Sequence, residues 1–211
     1  ELIGHTTRPG LYDLDTNKTL SALLENDNIL GPDIYPLFGV IERYNKEQLG
    51  TSFISVPIRL VFKNEFDMIL QDNDTAYLLS NQDISDTYDK NYENSENSKK
   101  PAQGSNNSDI FLEGLPELKK FIKEHSTHVR GAVRRPGKYP VAEGTTLENI
   151  LSVAGGLSLE ANKQSIEVTS KNFGNDHQSN DRSGTQRTII DLSKTHAANI
   201  LISAGDTIRV N

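Results

Sequence analysis

Two stretches of this chain are spelled alike, 127 positions apart, and that duplication limits its folds more than any other feature. Residues 4–12 read G-H-T-T-R-P-G-L-Y, and residues 131–139 read G-A-V-R-R-P-G-K-Y. Gly4, Arg8, Pro9, Gly10 and Tyr12 return as Gly131, Arg135, Pro136, Gly137 and Tyr139. The same offset carries Thr19 and Leu20 onto Thr146 and Leu147, Leu24 onto Leu151, and Leu30 onto Leu157. Towards the end of each copy the offset becomes 132, carrying Leu70 onto Ile202 and Asp74-Thr75 onto Asp206-Thr207. One offset shared by a turn, a helix cap and an apolar face marks a repeated supersecondary unit. The chain therefore divides into two small modules, and the second has a net insertion in its middle.

The second copy is the easier to read. Residues 129–133 form a short strand, and Arg135-Pro136-Gly137-Lys138 a tight turn. Pro presets φ near about −65° for the first corner and Gly takes a positive φ at the second. Residues 139–141 return as the other strand of a hairpin. Thr145 or Thr146 caps a helix, with Glu148 in the first turn, where the helix dipole favours an anion. Leu147, Ile150, Leu151 and Ala154 give that helix one apolar face, and Gly155-Gly156 ends it. In the first copy the helix is shorter, roughly residues 19–25, and stops at an Asn/Asp cluster followed by Gly31-Pro32. An apolar segment over 33–43 ends in a strand. Residues 52–61 read as strand with a turn at Pro57, and 68–79 close the module. In the second copy, 165–170 and 188–192 are paired strands around a polar tip at 171–187. A short turn over 192–200 precedes the last strand.

Between the copies, residues 81–108 are dominated by Asn, Ser, Asp and Lys, with Ile84, Tyr88 and Tyr92 nearly alone as large apolar groups. So little apolar surface does not offset the entropy of ordering a segment. Tyr88 and Tyr92 are the residues a binding loop there would use. Leu115, Leu118, Phe121 and Ile122 then form one stripe of a helix, with Pro116 at its first position. The expected division is a first module over 1–83, a flexible polar linker over 84–110, and a second module over 111–211 with that helix as its lead-in. The expected fold class is α+β: two tandem β-grasp-like modules, each a small mixed sheet packed on one helix.

The pattern G-x-V-x-R-P-G-x-Y followed by T-L-x-x-I-L-x-x-A-G-G-L resembles the soluble-ligand-binding β-grasp (SLBB) domain. The tail over 200–210, I-L-I-S-A-G-D-T-I-R-V, is similar to that domain's closing strand. P-L-F-G-V-I-E-R-Y-N at 36–45 resembles the first SLBB copy of bacterial outer-membrane polysaccharide export proteins. The resemblance covers about residues 2–83 and 128–211. It implies a periplasmic segment of a capsule or exopolysaccharide export channel at the outer membrane of a Gram-negative bacterium, with modules packed side by side into an oligomeric ring. The partners it implies are further copies of the parent protein, the exported polysaccharide and an inner-membrane polysaccharide co-polymerase. Because residues 1–3 run straight into a strand without Met, the chain reads as a segment of a longer protein. SLBB domains elsewhere are associated with soluble ligands, including cobalamin. A stand-alone soluble-ligand or glycan-binding module is therefore the first alternative, and an enzyme acting on surface polysaccharide the second.

Composition narrows the chemistry. The net charge is −7, and residues 1–110 hold 9 Lys and Arg against 18 Asp and Glu. Nucleic acid, whose phosphates require a basic surface, is thus not an expected partner. The absence of Cys excludes disulfides and thiolate-bound metal. The five histidines are scattered; only His125 and His128 are close, and His128 falls in a strand, so no metal site is expected. No Ser elbow and no phosphate-binding Gly loop is present, and Gly155-Gly156 lies at the wrong end of its helix for an anion. No catalytic or cofactor-binding residue is assigned, and the chain is not expected to be an enzyme. Asp74 and Asp206 hold duplicated positions, which points to capping the turn before the last strand. The candidate glycan or subunit contacts are Arg8 and Arg135, through planar guanidinium groups, and Tyr12 and Tyr139, which read first as half-buried core edges.

Overall fold

The structure is a computed structural model that describes residues 1–25, 29–47, 49–88, 112, 114–172 and 184–211. The fold is α+β and forms two compact units, residues 1–123 and 124–211, each built on one mixed sheet.

In the first unit, β1 (Leu2–Gly4), β4 (Thr75–Leu78), β2 (Gly39–Asn45) and β3 (Gly50–Val56) lie side by side in that order. β1 runs parallel to β4, with Leu2 opposite Ala76, and the other pairs are antiparallel. The helix α1 (Leu20–Leu24) buries Leu20, Leu23 and Leu24 against Leu2, Ile41, Ala76 and Leu78 on one face of the sheet. Each such side chain contributes about 1.5–3 kcal/mol through loss of water contact. Neighbouring strand residues point to opposite faces, so Val40 and Tyr77 belong to the other face, and they too are buried.

A helix from beyond the polar stretch reaches that second face. The helix α3 (Asn81–Tyr88) follows the short α2 (Ile58–Phe62), and α4 spans Pro116–Glu124. The Phe121 ring of α4 lies 6.1 Å from that of Phe38 and 5.5 Å from that of Phe53. The Tyr88 hydroxyl donates to the Ile122 carbonyl at 3.3 Å. The expectation that α4 packs on the second module is thus corrected: its half-buried Phe121 ring lies against rings of the first, and the division between units falls at residue 123. Residues 84–88, expected as linker, are helical because Ser80 and Asp83 cap α3 reciprocally and bury Ile84. Residues 89–110, including Tyr92, lie outside the described residues. The strand expected to continue past Pro57 instead becomes α2, since Ile58 and Val61, three apart, find a common core. The first unit therefore carries more than the one helix foreseen.

In the second unit the strands run β6 (Gly137–Pro140), β5 (Ser126–Gly131), β9 (Thr207–Val210), β7 (Ile166–Asn172), β8 (Gly184–Ile190). β5 is parallel to β9, with Val129 opposite Ile208, and β9 is antiparallel to β7. This is the first unit's plan, with one strand added: where β6 pairs with β5, the first copy has only a bridge between Leu2 and Gly10. Val133, expected in a strand, makes an isolated bridge to Leu157. β8 starts at Gly184 rather than at 188, and the polar tip over 173–183 lies outside the described residues. A 3-10 turn, Ala197–Asn199, precedes the closing strand. The helix α5 (Leu147–Val153) buries Leu147, Ile150 and Leu151. It ends as expected: Gly155 (φ 79°) donates to Ser152 and Gly156 (φ 85°) to Leu151, which satisfies two of the last carbonyls.

Candidate functional site

The duplicated Arg-Pro-Gly-x-Tyr loops begin at a glycine whose position leaves no room for a side chain. Gly131 closes β5 at φ 88°, and a Cβ there would stand 2.0 Å from the Val210 carbonyl oxygen. Gly4, at φ 96°, would bring its Cβ to 2.2 Å from that of Leu78. Gly137, expected to supply the positive φ of the turn, is not left-handed; that role falls to the first glycine of the motif.

From this glycine the chain doubles back through matching backbone hydrogen bonds in both copies. Thr6 donates its N–H to Gly4, and Val133 to Gly131. Thr7 donates to Ile29 at 2.8 Å, and Arg134 to Gly156 at 3.1 Å. Each loop is then closed by its tyrosine. The Tyr12 hydroxyl donates to the Arg8 carbonyl and the Tyr139 hydroxyl to the Arg135 carbonyl, both at 2.6 Å. Both rings are half-buried, Tyr12 against the core of its unit. Burial pushes the Tyr139 phenol above its ordinary value, with Arg135 opposing. The tyrosines therefore read as locks on their loops, with their hydroxyls already committed.

Arg8 and Arg135 are exposed. Arg135 donates its backbone N–H to Ala154 at 2.9 Å and its Nη2 to Val153 at 3.0 Å. A guanidinium at a helix C-terminus satisfies open carbonyls and meets the negative end of the dipole. Each loop thus brings its Arg and Tyr together, and the two loops belong to different units.

The duplicated carboxylates cap their turns. Asp74 Oδ2 accepts from the Gln71 N–H at 2.8 Å, and Asp206 Oδ2 from the Ser203 N–H at 2.9 Å. Asp74 has a second partner that sequence reasoning missed. Arg43 donates Nε to Oδ1 at 2.9 Å and Nη2 to Oδ2 at 2.7 Å. Hydrogen bonding to Asp74 raises the Arg43 guanidinium further, against the opposing effect of burial. The register that sets Ile41 opposite Ala76 and Val168 opposite Ile208 puts Ser170 where Arg43 would recur. With no duplicate of Arg43, the repeat carried no signal for this pair.

Beside Tyr12 a cavity of about 320 Å³ opens, with Glu1, Asp13, Asp15, Asp72 and Asp74 among its lining residues. Among the described residues, no group of three or more His, Cys, Asp or Glu is placed to hold a metal ion. His128 lies in β5, where burial, then Arg130 and Lys138, hold its imidazole below the ordinary value. His5 accepts the Asp33 N–H at Nε2 (3.3 Å), and its ring fills the space a side chain at Gly31 would need.

No helix among the described residues is long and apolar enough to cross a membrane. No curated protein matches the chain. Among protein families, the SLBB domain matches residues 127–179, a span that starts inside β5 and takes in β6, α5 and β7. The second module, in the stretch 127–179, is thus similar in sequence to the SLBB domain, and the first repeats its topology.

Proposed function

We propose that this chain is a periplasmic segment of an outer-membrane polysaccharide export assembly, whose modules form a wall by packing against modules of neighbouring copies. The observation that supports this most is the duplication itself. Two units share a topology, a loop, a tyrosine lock and an aspartate cap, yet the catalytic patterns sought in the sequence are missing from both. Repeated modules that keep their frame suit a role in which geometry, not bond-making, is the output. In this reading the exported polymer passes along the wall, and an inner-membrane co-polymerase delivers it.

The test is deletion of the parent gene, with polymer quantified separately at the cell surface and inside the envelope. Loss at the surface with polymer retained inside is the expected result. Unchanged surface polymer, with no redundant paralogue, overturns the reading. A stand-alone ligand-binding role is favoured by one observation, the cavity beside Tyr12. Its carboxylate lining suits a small polar cation better than a large apolar ligand.

A further inference from the structure

The two sheets differ most on the face that points away from α1 and α5. In the first unit one row of that face is apolar and largely covered, with half-buried Ile3 beside Tyr77 and Val40 fully buried, while Glu42 in the next row accepts from the Tyr77 hydroxyl. In the second unit the same positions are charged and open. The register that pairs Ile3 with Tyr77 pairs Arg130 with Arg209, both exposed, and sets Glu167 next to Arg209. One row along, Lys138, His128, Thr207, Thr169 and Arg187 line up across all five strands. The alternating positions, Val129, Ile208 and Val168, are buried on the opposite face, which fixes the direction of this one. In these two rows Glu167 is the only carboxylate, and it already accepts from Arg187 and from Asn211 Nδ2.

We propose that this outer face of the second module binds an anionic polysaccharide, one bearing carboxylates along its chain, through Arg130, Arg209 and Lys138. Like charges directly opposed on neighbouring strands are destabilising. Arg130 and Arg209 are so placed, where the first unit has an apolar pair that stabilises its fold. A ligand carboxylate between them converts the repulsion into charge-assisted hydrogen bonds, and guanidinium groups suit it through bidentate geometry. Arg130 and Arg209 stand on neighbouring strands, about 4.8 Å apart, and Lys138 lies one row along on β6, so this open set of cations follows a polymer rather than enclosing a small molecule. A protein partner is less well served, because protein interfaces are built around an apolar centre. Here Ile189 is the one large apolar side chain in the two rows, and it lies at their margin, on β8. The choice of polysaccharide rests on the export reading; the choice of an anion rests on the face itself.

The experiment is calorimetric titration of the full 211-residue chain with polygalacturonate oligosaccharides at low salt, with neutral dextran as the contrast. The expected result is binding of the polyanion, loss of heat with dextran, and weakening as salt screens the contacts. The variant Arg130→Gln/Arg209→Gln should bind at least about tenfold more weakly, since it removes both guanidinium groups that would hold the carboxylate. The control Lys163→Gln/Lys194→Gln should bind as the parent does. Circular dichroism melts of each variant confirm folding, and Arg209→Lys, which keeps charge but not the planar fork, should show an intermediate loss. Absence of binding at low salt, or equal binding by the Arg130/Arg209 variant, overturns the proposal. So does self-association in sedimentation that this variant abolishes without any glycan binding, which would assign the face to a second copy. A chain that binds no polyanion while gene deletion still strips the cell surface overturns this site alone. A chain that binds while deletion changes nothing overturns the export reading alone.

Discussion

At Gly131 the space that any other residue would fill with Cβ is taken by a carbonyl oxygen of the neighbouring strand. Two demands meet there, a left-handed φ and a contact with Val210, and Gly4 repeats both against Leu78. Gly205 separates them: it is left-handed at φ 86°, but a Cβ there meets nothing within 4 Å. Gly205→Ala should therefore cost only the backbone term, about 1–2 kcal/mol. Gly131→Ala adds a clash with backbone that cannot swing aside, and should cost roughly 2–5 kcal/mol. Urea denaturation of the two variants checks this, and equal losses would remove the close-approach argument. The sequence showed that this glycine recurs but not what it does. Pro-Gly turn chemistry drew the positive φ to Gly137, because a contact between strands far apart in the chain leaves no mark in local spacing.

Among the elements, α1 and α5 solve one problem by different means. Thr146 caps α5 by accepting from Asn149 at 3.3 Å, and Asn149 Oδ1 accepts from Thr146 in return at 3.2 Å. Thr19 caps α1, but Ala22 stands where Asn149 does and cannot reciprocate. Asp67, distant in sequence, fills the gap by accepting from the Ser21 N–H at 2.9 Å and the Ser21 hydroxyl at 2.7 Å. Burial pushes the Asp67 carboxyl up, but the bonds from Ser21, Met68 and Thr19 outweigh it and hold the group below its ordinary value. A lowered folded pKa means stability that is present above the unfolded carboxylate pKa, about 3.9. That stability is lost as pH falls through the lower, folded value. Asp67→Asn should thus lower the urea midpoint at pH 7, and the gap to the parent should shrink at pH 2.5. A gap of the same size at both pH values would sink the linkage. The threonine caps and apolar faces were legible from spacing alone. Asp67, α2 and the destination of α4 were not, since each depends on which distant surface an amphipathic segment meets.

For the whole molecule, the repeat gave the two-sheet plan, while the reach of the first unit to residue 123 emerged only from packing. Phe121 against Phe38 and Phe53 is a tertiary fact, and the stripe on α4 says only that some face is buried. Residues 124–211 expressed alone should unfold cooperatively in urea. Extending that fragment back to residue 111 should change its stability by less than about 0.5 kcal/mol, as expected for residues outside its core. A clear gain from the extension would return α4 to the second unit. Both units also share a habit with a consequence for synthesis. The first strand of each is held from one side by the last, Leu2 by Ala76 and Val129 by Ile208. Pairing across so long an interval is costly in chain entropy and slow to form. A ribosome delivering the first unit therefore releases an opening strand held only by its bridge to Gly10 until the closing strand emerges, whereas in the second β5 can pair with β6 at once but leaves its other edge open. Each unit must wait for its own end before it can fold, and in that interval its exposed strand edges depend on whatever the cell provides to keep nascent chains apart.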